Sequence, residues 1–472
     1  MSTIRVMSKA TIARPKRASR TTSKPVARQI RTFRSAVNYL NSLANFEQTV
    51  RVHYDESNFG LARMKRILTA LGNPHTAYKT VHIAGTKGKG STATMLASML
   101  TGCDLKVGLY TSPHILDIRE RIAIDGAMIS ESGFAKVIAT ARDAATKARV
   151  AEPTYFEILT AAAFDTFAKN EVDIAVIETG LGGRLDATNV VQPEVVGITS
   201  ISYDHLRQLG TDLVSITKEK AGIMKPSVPV LSAPQRPEVR EALETAARET
   251  DSPLRFSHED VSFSYRFEFS RSAGRHARIC LTTPTSKFEH LHVPLFGEHQ
   301  AINCSLALCI LDVLKSRGLP IDDQKAMAGL ANVELLGRMQ VISEQPCILV
   351  DGAHNAASIN ALMRAIGQHI TYDSMIVIFA CHKDKDVSGM IRQVQLGADK
   401  IIFTSTGTPR SCDPAELASE YTEHSGKMAQ VADSLEEAMT IAMSAHTRED
   451  LICITGSFYL VAEGIRKFSA QE

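Results

Sequence analysis

The sequence predicts an α/β protein: a mostly parallel, P-loop-containing sheet domain followed by a smaller, Rossmann-like α/β C-terminal domain. Three observations lead there. The chain has 472 residues, too many for one ordinary core. Short apolar runs that do not alternate with polar residues recur along it, each followed by a helical stretch, and such strands belong in a sheet covered on both faces. The first of these runs, Val81-His82-Ile83-Ala84, leads into a loop rich in glycine and lysine, Gly85 to Ser91.

The N-terminus, residues 1–35, stands apart. No Asp or Glu occurs before Glu47, while Arg5, Lys9, Arg14, Lys16, Arg17, Arg20, Lys24, Arg28, Arg31 and Arg34 crowd the same stretch. The composition suits a disordered basic arm and also resembles a mitochondrial transit peptide. A cytoplasmic location is therefore expected, with the mitochondrion as the alternative. No long apolar segment of the secretory kind accompanies the charges.

From Ala36 to Leu71 the pattern is helical, broken near His53-Tyr54-Asp55. After the glycine loop come a helix from Ser91 to Leu100, then strands at Ile174 to Ile177, Val195 to Ile201 and Val228 to Leu231. Ser257 to Val293 alternates, as in Phe263-Ser264-Tyr265-Arg266-Phe267, and predicts an antiparallel excursion. A helix is expected from Ala301 to Leu314. A second βα series, with strands at Ile348 to Val350, Met375 to Ala380, Lys400 to Thr404 and Leu451 to Thr455, places a domain boundary near Val333 to Gly337. The expected division is 36–336 and 337–472.

Hydrophobic residues make up 44% and charged residues 22%, the balance of a soluble globular chain. The 53 basic and 51 acidic side chains nearly cancel, which removes the global electrostatic case for nucleic acid or an acidic membrane. No apolar run approaches a bilayer span. The eight cysteines are scattered without a C-x-x-C pair, as expected of reduced, buried thiols.

In Gly85-Thr86-Lys87-Gly88-Lys89-Gly90-Ser91, glycines let the backbone curl and the next helix start adds partial positive charge, a site for phosphates. Lys89 can reach β and γ phosphates and Ser91 can offer its hydroxyl to Mg²⁺. The pattern departs from G-x-x-x-x-G-K-[ST] because Gly90 intervenes. A Gly/Lys-rich surface turn is the alternative, disfavoured by the strand before and the helix after. Glu178, at the end of an apolar strand, can face this loop.

Ordered blocks now carry a resemblance. His82 to Ser91, Thr111-Ser112-Pro113-His114 with Ile118-Arg119-Glu120-Arg121-Ile122, Thr154 to Glu157, and Glu178 to Asn189 come first. They are followed by Asp204-His205, Glu219-Lys220-Ala221-Gly222-Ile223, Gly297 to Gln300 with Asn303, Gly337-Arg338, Asp351 to Asn355 and Gly456 to Leu460. Together they resemble the folylpolyglutamate synthase and dihydrofolate synthase family, within the Mur ligase group, whose central domain is of the P-loop type described above. The resemblance implies a ligase that phosphorylates a substrate carboxylate with ATP and lets the amine of L-glutamate attack the acyl phosphate. Its substrates would be a folate or dihydropteroate. Its cofactors would be Mg²⁺ and, optionally, a monovalent cation such as K⁺, and it would act as a monomer.

The resemblance also implies residue roles. Gly85 to Ser91, Asn303, Arg338, Asp351 and His354 would contact ATP. Ser91, Glu178, His205 and a carbamylated Lys220 would hold metal, with Lys89, His205 and Lys220 catalytic. Read from the sequence pattern alone, Lys220 lies on a solvated helix face. Thr111, Ser112, Pro113, His114, Arg119, Arg121, Arg184 and Asp186 would border the pterin substrate. Cys381-His382 is not the usual lead-in to the charged run Lys383 to Asp386.

Two other readings compete. A Mur-type ligase acting on a UDP-sugar lacks the blocks at Thr111 to Ile122 and Gly182 to Asn189. A non-enzymatic nucleotide-binding regulator would use the basic arm to hold nucleic acid.

Overall fold

The computed structural model describes residues 29–47, 53–258, 262–270, 274–283 and 285–469. The expected basic arm lies outside the described residues as far as 28. Its last residues are folded: Ile30 is buried, and Thr32 caps the helix Phe33–Asn41 through Ser35. The arm boundary at 35 is corrected accordingly, because an N-cap and a buried isoleucine fix the chain before that point.

The first sheet has eight strands: β1 (Lys79–Ala84), β2 (Val107–Tyr110), β3 (Ile122–Ile124), β4 (Ala127–Met128), β5 (Ile174–Glu178), β6 (Val195–Ile198), β7 (Val230–Ser232) and β8 (Leu254–Phe256). Their spatial order is β4-β3-β2-β5-β1-β6-β7-β8. Neighbours from β2 to β8 run parallel, with β3 and β4 antiparallel at one edge.

Every residue of β5 is buried. Ile174 and Val176 belong to the core under helices Lys89–Gly102 and Glu298–Ser316, whereas Ala175 and Ile177 belong to the core under Glu131–Lys147 and Tyr155–Lys169. Side chains alternate faces, so a strand covered on both sides must be apolar throughout. Thr154 and Glu157 form a reciprocal capping box at the start of Tyr155–Lys169.

Three further strands, β9 (Ser262–Ser270), β10 (Gly274–Thr282) and β11 (Lys287–Val293), form the antiparallel excursion in the order β11-β10-β9. Its inward side chains Ala277, Ile279 and Leu291 join the same core as Ile310.

The second sheet comprises β12 (Gln340–Glu344), β13 (Cys347–Asp351), β14 (Met375–Phe379), β15 (Lys400–Phe403), β16 (Gln430–Val431) and β17 (Leu451–Thr455), ordered β12-β13-β17-β14-β15-β16. Only β12 runs antiparallel. Parallel sheets open their sites at the carboxyl ends of their strands. In the first sheet those ends are Ala84, Tyr110, Glu178 and Ile198; in the second they are Asp351, Phe379, Phe403 and Thr455.

Ile310 is fully buried in the core shared by the first sheet and the excursion. Ile310→Ala should lower unfolding stability by about 2–5 kcal/mol, the usual cost of a large cavity. Chemical denaturation measures it, and a loss under about 0.5 kcal/mol, the range of a surface change, would contradict this packing.

Candidate functional site

The two sets of strand ends face each other across one cavity of about 730 Å³. Lys89, Ser112, Glu178 and His205 line it from the first sheet, and Asp351, His382, Arg410 and Ser457 from the second.

The glycine loop is built for close approach. Gly88 holds a left-handed φ of +84° at the N-cap of helix Lys89–Gly102. A Cβ there would stand 2.1 Å from Asn303 Oδ1, so only glycine lets Asn303 meet the loop. Asn303 is buried on helix Glu298–Ser316 and donates to Gln300 Oε1 at 3.0 Å. A Cβ on Gly90 would lie 3.3 Å from Glu178 Oε2, which accounts for the extra glycine between Lys89 and Ser91.

Not all loop amides face the cavity. Thr86 and Lys87 donate theirs to Ser200 O at 3.0 and 3.2 Å. The first-turn amides of Lys89, Gly90 and Ser91 have no acceptor within the helix, and they form the anion-binding end. Gly85 lies outside the cavity lining; its carbonyl accepts from Lys220 Nζ at 2.8 Å.

Glu178 is buried, accepts from Ser112 N at 2.9 Å, and stands 3.8 Å from Lys89 Nζ. Burial raises its pKa, with Lys89 pulling the other way. A buried carboxylate of this kind accepts a cation readily. Among the described residues no group of three or more His, Cys, Asp or Glu could enclose a metal. Glu178 offers carboxylate oxygens of the kind that hard divalent cations take.

His205 sits in the left-handed region at φ +50°. Its side chain is 46% accessible and lines the cavity. Surrounding protein lowers its pKa to about 4, against the attraction of Asp204. The imidazole is thus neutral near pH 7 and able to accept or ligate. Burial raises the pKa of Asp204, yet interaction with His205, and then with Lys385 and His354, brings it down to about 2. Lys385 and His354 come from the second sheet, so the two walls are in electrostatic contact.

Lys220 is not on a solvated face. It is buried, and burial lowers its pKa to about 7, with Lys89 adding repulsion. It lies behind the loop and not on the cavity wall.

On the second wall, Asp351 accepts from Met339 N at 2.9 Å and Ala353 N at 2.8 Å. Burial raises its pKa and Arg338 opposes this. The Arg338 guanidinium lies 4.7 Å over the Phe458 ring, and His354 is 5.2 Å from the same ring. Arg338, Asp351 and His354 all line the cavity.

The residues expected around the pterin divide. Ser112, Pro113, His114, Arg121 and Asp186 line the cavity; Thr111, Arg119 and Arg184 do not. Arg119 is paired with Asp117 at 2.8 Å under the Phe33 ring, and Arg184 with Glu219 at 3.0 Å. Arg121, 1% exposed, binds both oxygens of Glu47 at 2.7 Å and donates to His114 Nδ1 at 2.9 Å. Asp186 is buried and accepts from Gly180 N and Leu181 N at 2.9 Å, shaping the loop after β5.

Sequence reasoning missed Glu47, Tyr54, His299 and Phe458. Tyr54 Oη accepts from Leu185 N at 3.1 Å and Gly183 N at 3.3 Å, fixing the glycine-rich loop. Nothing in its local sequence signals that. His299 and Phe458 stood inside quoted blocks, His299 in Gly297 to Gln300 and Phe458 in Gly456 to Leu460. Burial lowers the pKa of His299 to about 4, with Arg338 and Lys87 contributing.

Comparison with known proteins follows this geometry. Residues 83–311 match the Mur ligase middle domain, and residues 337–458 the Mur ligase glutamate ligase domain. The chain is therefore an ATP-dependent ligase of the Mur type. It is 33% identical over 416 residues to a dihydrofolate synthase/folylpolyglutamate synthase of Bacillus subtilis, covering 86% of this chain and 94% of the relative. It superposes on Mycobacterium tuberculosis folylpolyglutamate synthase complexed with ADP with a TM-score of 0.84 at 30% identity, over 93% of this chain and 99% of that one. A bifunctional folylpolyglutamate synthase/dihydrofolate synthase with Mn, AMPPNP and L-glutamate bound gives a TM-score of 0.78 at 28% identity, over 93% and 98%. The chain belongs to the folylpolyglutamate synthase/dihydrofolate synthase family, whose reaction is ATP-dependent addition of glutamate. Membership sets aside the UDP-sugar and regulator readings.

Gly88→Ala should weaken binding of a non-hydrolysable ATP analogue by about tenfold or more, since a Cβ 2.1 Å from Asn303 Oδ1 forces the loop out of the shape that aims its amides into the cavity. Calorimetric titration reads it; unchanged affinity would show that the loop does not cradle the nucleotide.

Proposed function

We propose that this chain joins L-glutamate to a folate or to dihydropteroate through an acyl phosphate made with ATP. One observation carries the reading. An anion-binding helix start with Lys89 and Glu178 faces Arg338, Asp351 and His354 across a single cavity. A carboxylate is a poor electrophile in water, so the catalyst must align three partners and neutralise the transferring phosphoryl group.

In this reading the first-turn amides at Lys89 to Ser91 and the Lys89 ammonium hold the β and γ phosphates. Arg338 approaches from the second wall, steadied by the Phe458 face. Ser91 and Glu178 hold Mg²⁺, which when bound supplies charge neutralisation on the phosphates. Neutral His205 stands beside them. Residues 36–336 supply the nucleotide wall and 337–472 the wall where glutamate docks. Ser112, Pro113 and His114 border the pterin. The protein acts on these small molecules as a monomer, in the cytoplasm. Among the described residues no helix is long and apolar enough to cross a membrane.

Lys220 suits carbamylation. Its amine is buried, has a carbonyl neighbour in Gly85, and loses its proton near pH 7. Only the neutral amine reacts with CO₂, so the carbamate fraction should rise as pH passes upward through about 7. With ¹³C-bicarbonate, NMR should show a carbamate signal that is absent in Lys220→Ala. No such signal at any pH up to about 8.5, well past the amine's titration, would reject the modification.

Phosphate release should require both glutamate and a pterin; dihydropteroate and a reduced folate tested side by side distinguish the two activities. Lys89→Ala and Glu178→Ala should each lower kcat/KM by roughly 10²–10³-fold with circular dichroism unchanged. Release without glutamate, or full activity in either variant, would refute the assignment.

A further inference from the structure

Cys381 and Cys412 are brought together by two loops of the second wall. Cys381 follows β14 and Cys412 follows β15. His382 and Ser411 form an isolated antiparallel bridge. Cys412 N donates to Cys381 O at 2.9 Å and Lys383 N donates to Arg410 O at 3.0 Å. The two cysteines therefore sit directly opposite each other at a hydrogen-bonded position of a short ladder. Cα atoms at such positions lie about 5.5 Å apart, inside the range a disulfide spans. Their sulfurs stand 3.7 Å apart.

The same ladder carries part of the cavity wall. His382, Lys385 and Arg410 line the cavity, and Arg410 pairs with Asp384 at 2.6 Å. Whatever moves Cys381 against Cys412 moves these side chains.

We propose that Cys381 and Cys412 form a reversible dithiol–disulfide site, oxidised by a peroxide, that fixes the glutamate-side wall and lowers turnover. The effect on turnover rests on the function proposed above; the thiol chemistry does not. Cys412 retains 7% exposure and Cys381 none, so peroxide meets Cys412 first. The Cys381 thiol donates to Cys412, and that hydrogen bond, with Lys383 adding, lowers the Cys412 pKa.

The steps balance. The Cys412 thiolate attacks one peroxide oxygen, its S–O bond forms, the O–O bond breaks, and hydroxide leaves to become water. Cys381 then attacks the Cys412 sulfenic sulfur; the S–S bond forms, the S–O bond breaks, and the departing hydroxide takes the Cys381 proton as water. Two thiols and one peroxide give one disulfide and two waters. The sulfurs must close from 3.7 Å to about 2.05 Å, drawing the two loops together. A dithiol reductant reverses the change.

The test treats full-length protein with hydrogen peroxide and maps peptides without reduction. The expected result is a cross-linked Cys381–Cys412 peptide pair lighter by two hydrogens, a several-fold fall in glutamate-dependent phosphate release, and recovery of both with dithiothreitol. Cys412→Ala and Cys381→Ala should keep basal activity and resist the loss. No cross-link between these two residues would overturn the proposal. So would a cross-link without change in turnover, or equal inactivation of both variants.

Discussion

Lys89 and Glu178 stand 3.8 Å apart beneath the start of helix Lys89–Gly102, and both are largely shielded from water. A buried carboxylate is costly unless something positive meets it. Here one backbone amide and one ammonium do so, and neither saturates its oxygens. The arrangement is stable as it is, yet it is shaped for one more cation and for anions on the neighbouring amides. That single constraint explains the glycine at 90, which makes room for the carboxylate. It also explains the all-apolar strand that delivers Glu178 and the helix that aims its positive end at the same point.

The second wall completes the charge pattern. Arg338 and Asp351 face Lys89 and Glu178, while Lys385 reaches the field of Asp204. The walls are tied by more than charge. Ile115 and Leu116, in the loop after β2, pack on the core of the second sheet, and Arg466 donates to Leu116 O at 2.8 Å. The loop that carries Ser112 to His114 into the cavity is therefore held by the domain that presents Arg338.

Much of this was legible in the sequence because the strongest signals are local. Ile174 to Ile177 and Leu451 to Ile454 announce buried parallel strands by unbroken apolar runs. The phosphate loop announces itself by glycines that close contacts with Asn303 and Glu178 require. What stayed hidden depends on distant partners. β2 was missed because Gly108 interrupts its short apolar run, and the glycine is there since a Cβ would meet the Phe167 ring at 2.7 Å. Lys220 looked solvated from its charged neighbours, but the helix turns it inward onto Gly85. Arg119 and Arg184 were expected to border the pterin, yet acidic neighbours pair with both and neither lines the cavity. Tyr54 organises a loop far along the chain, and no spacing rule links the two.

The account stands on where the triphosphate lies. A crystal structure with a non-hydrolysable ATP analogue and Mg²⁺ should show the β and γ phosphates on the amides of Lys89, Gly90 and Ser91, with the metal touching Glu178. A nucleotide seated elsewhere in the cleft, leaving this helix start empty, would contradict it.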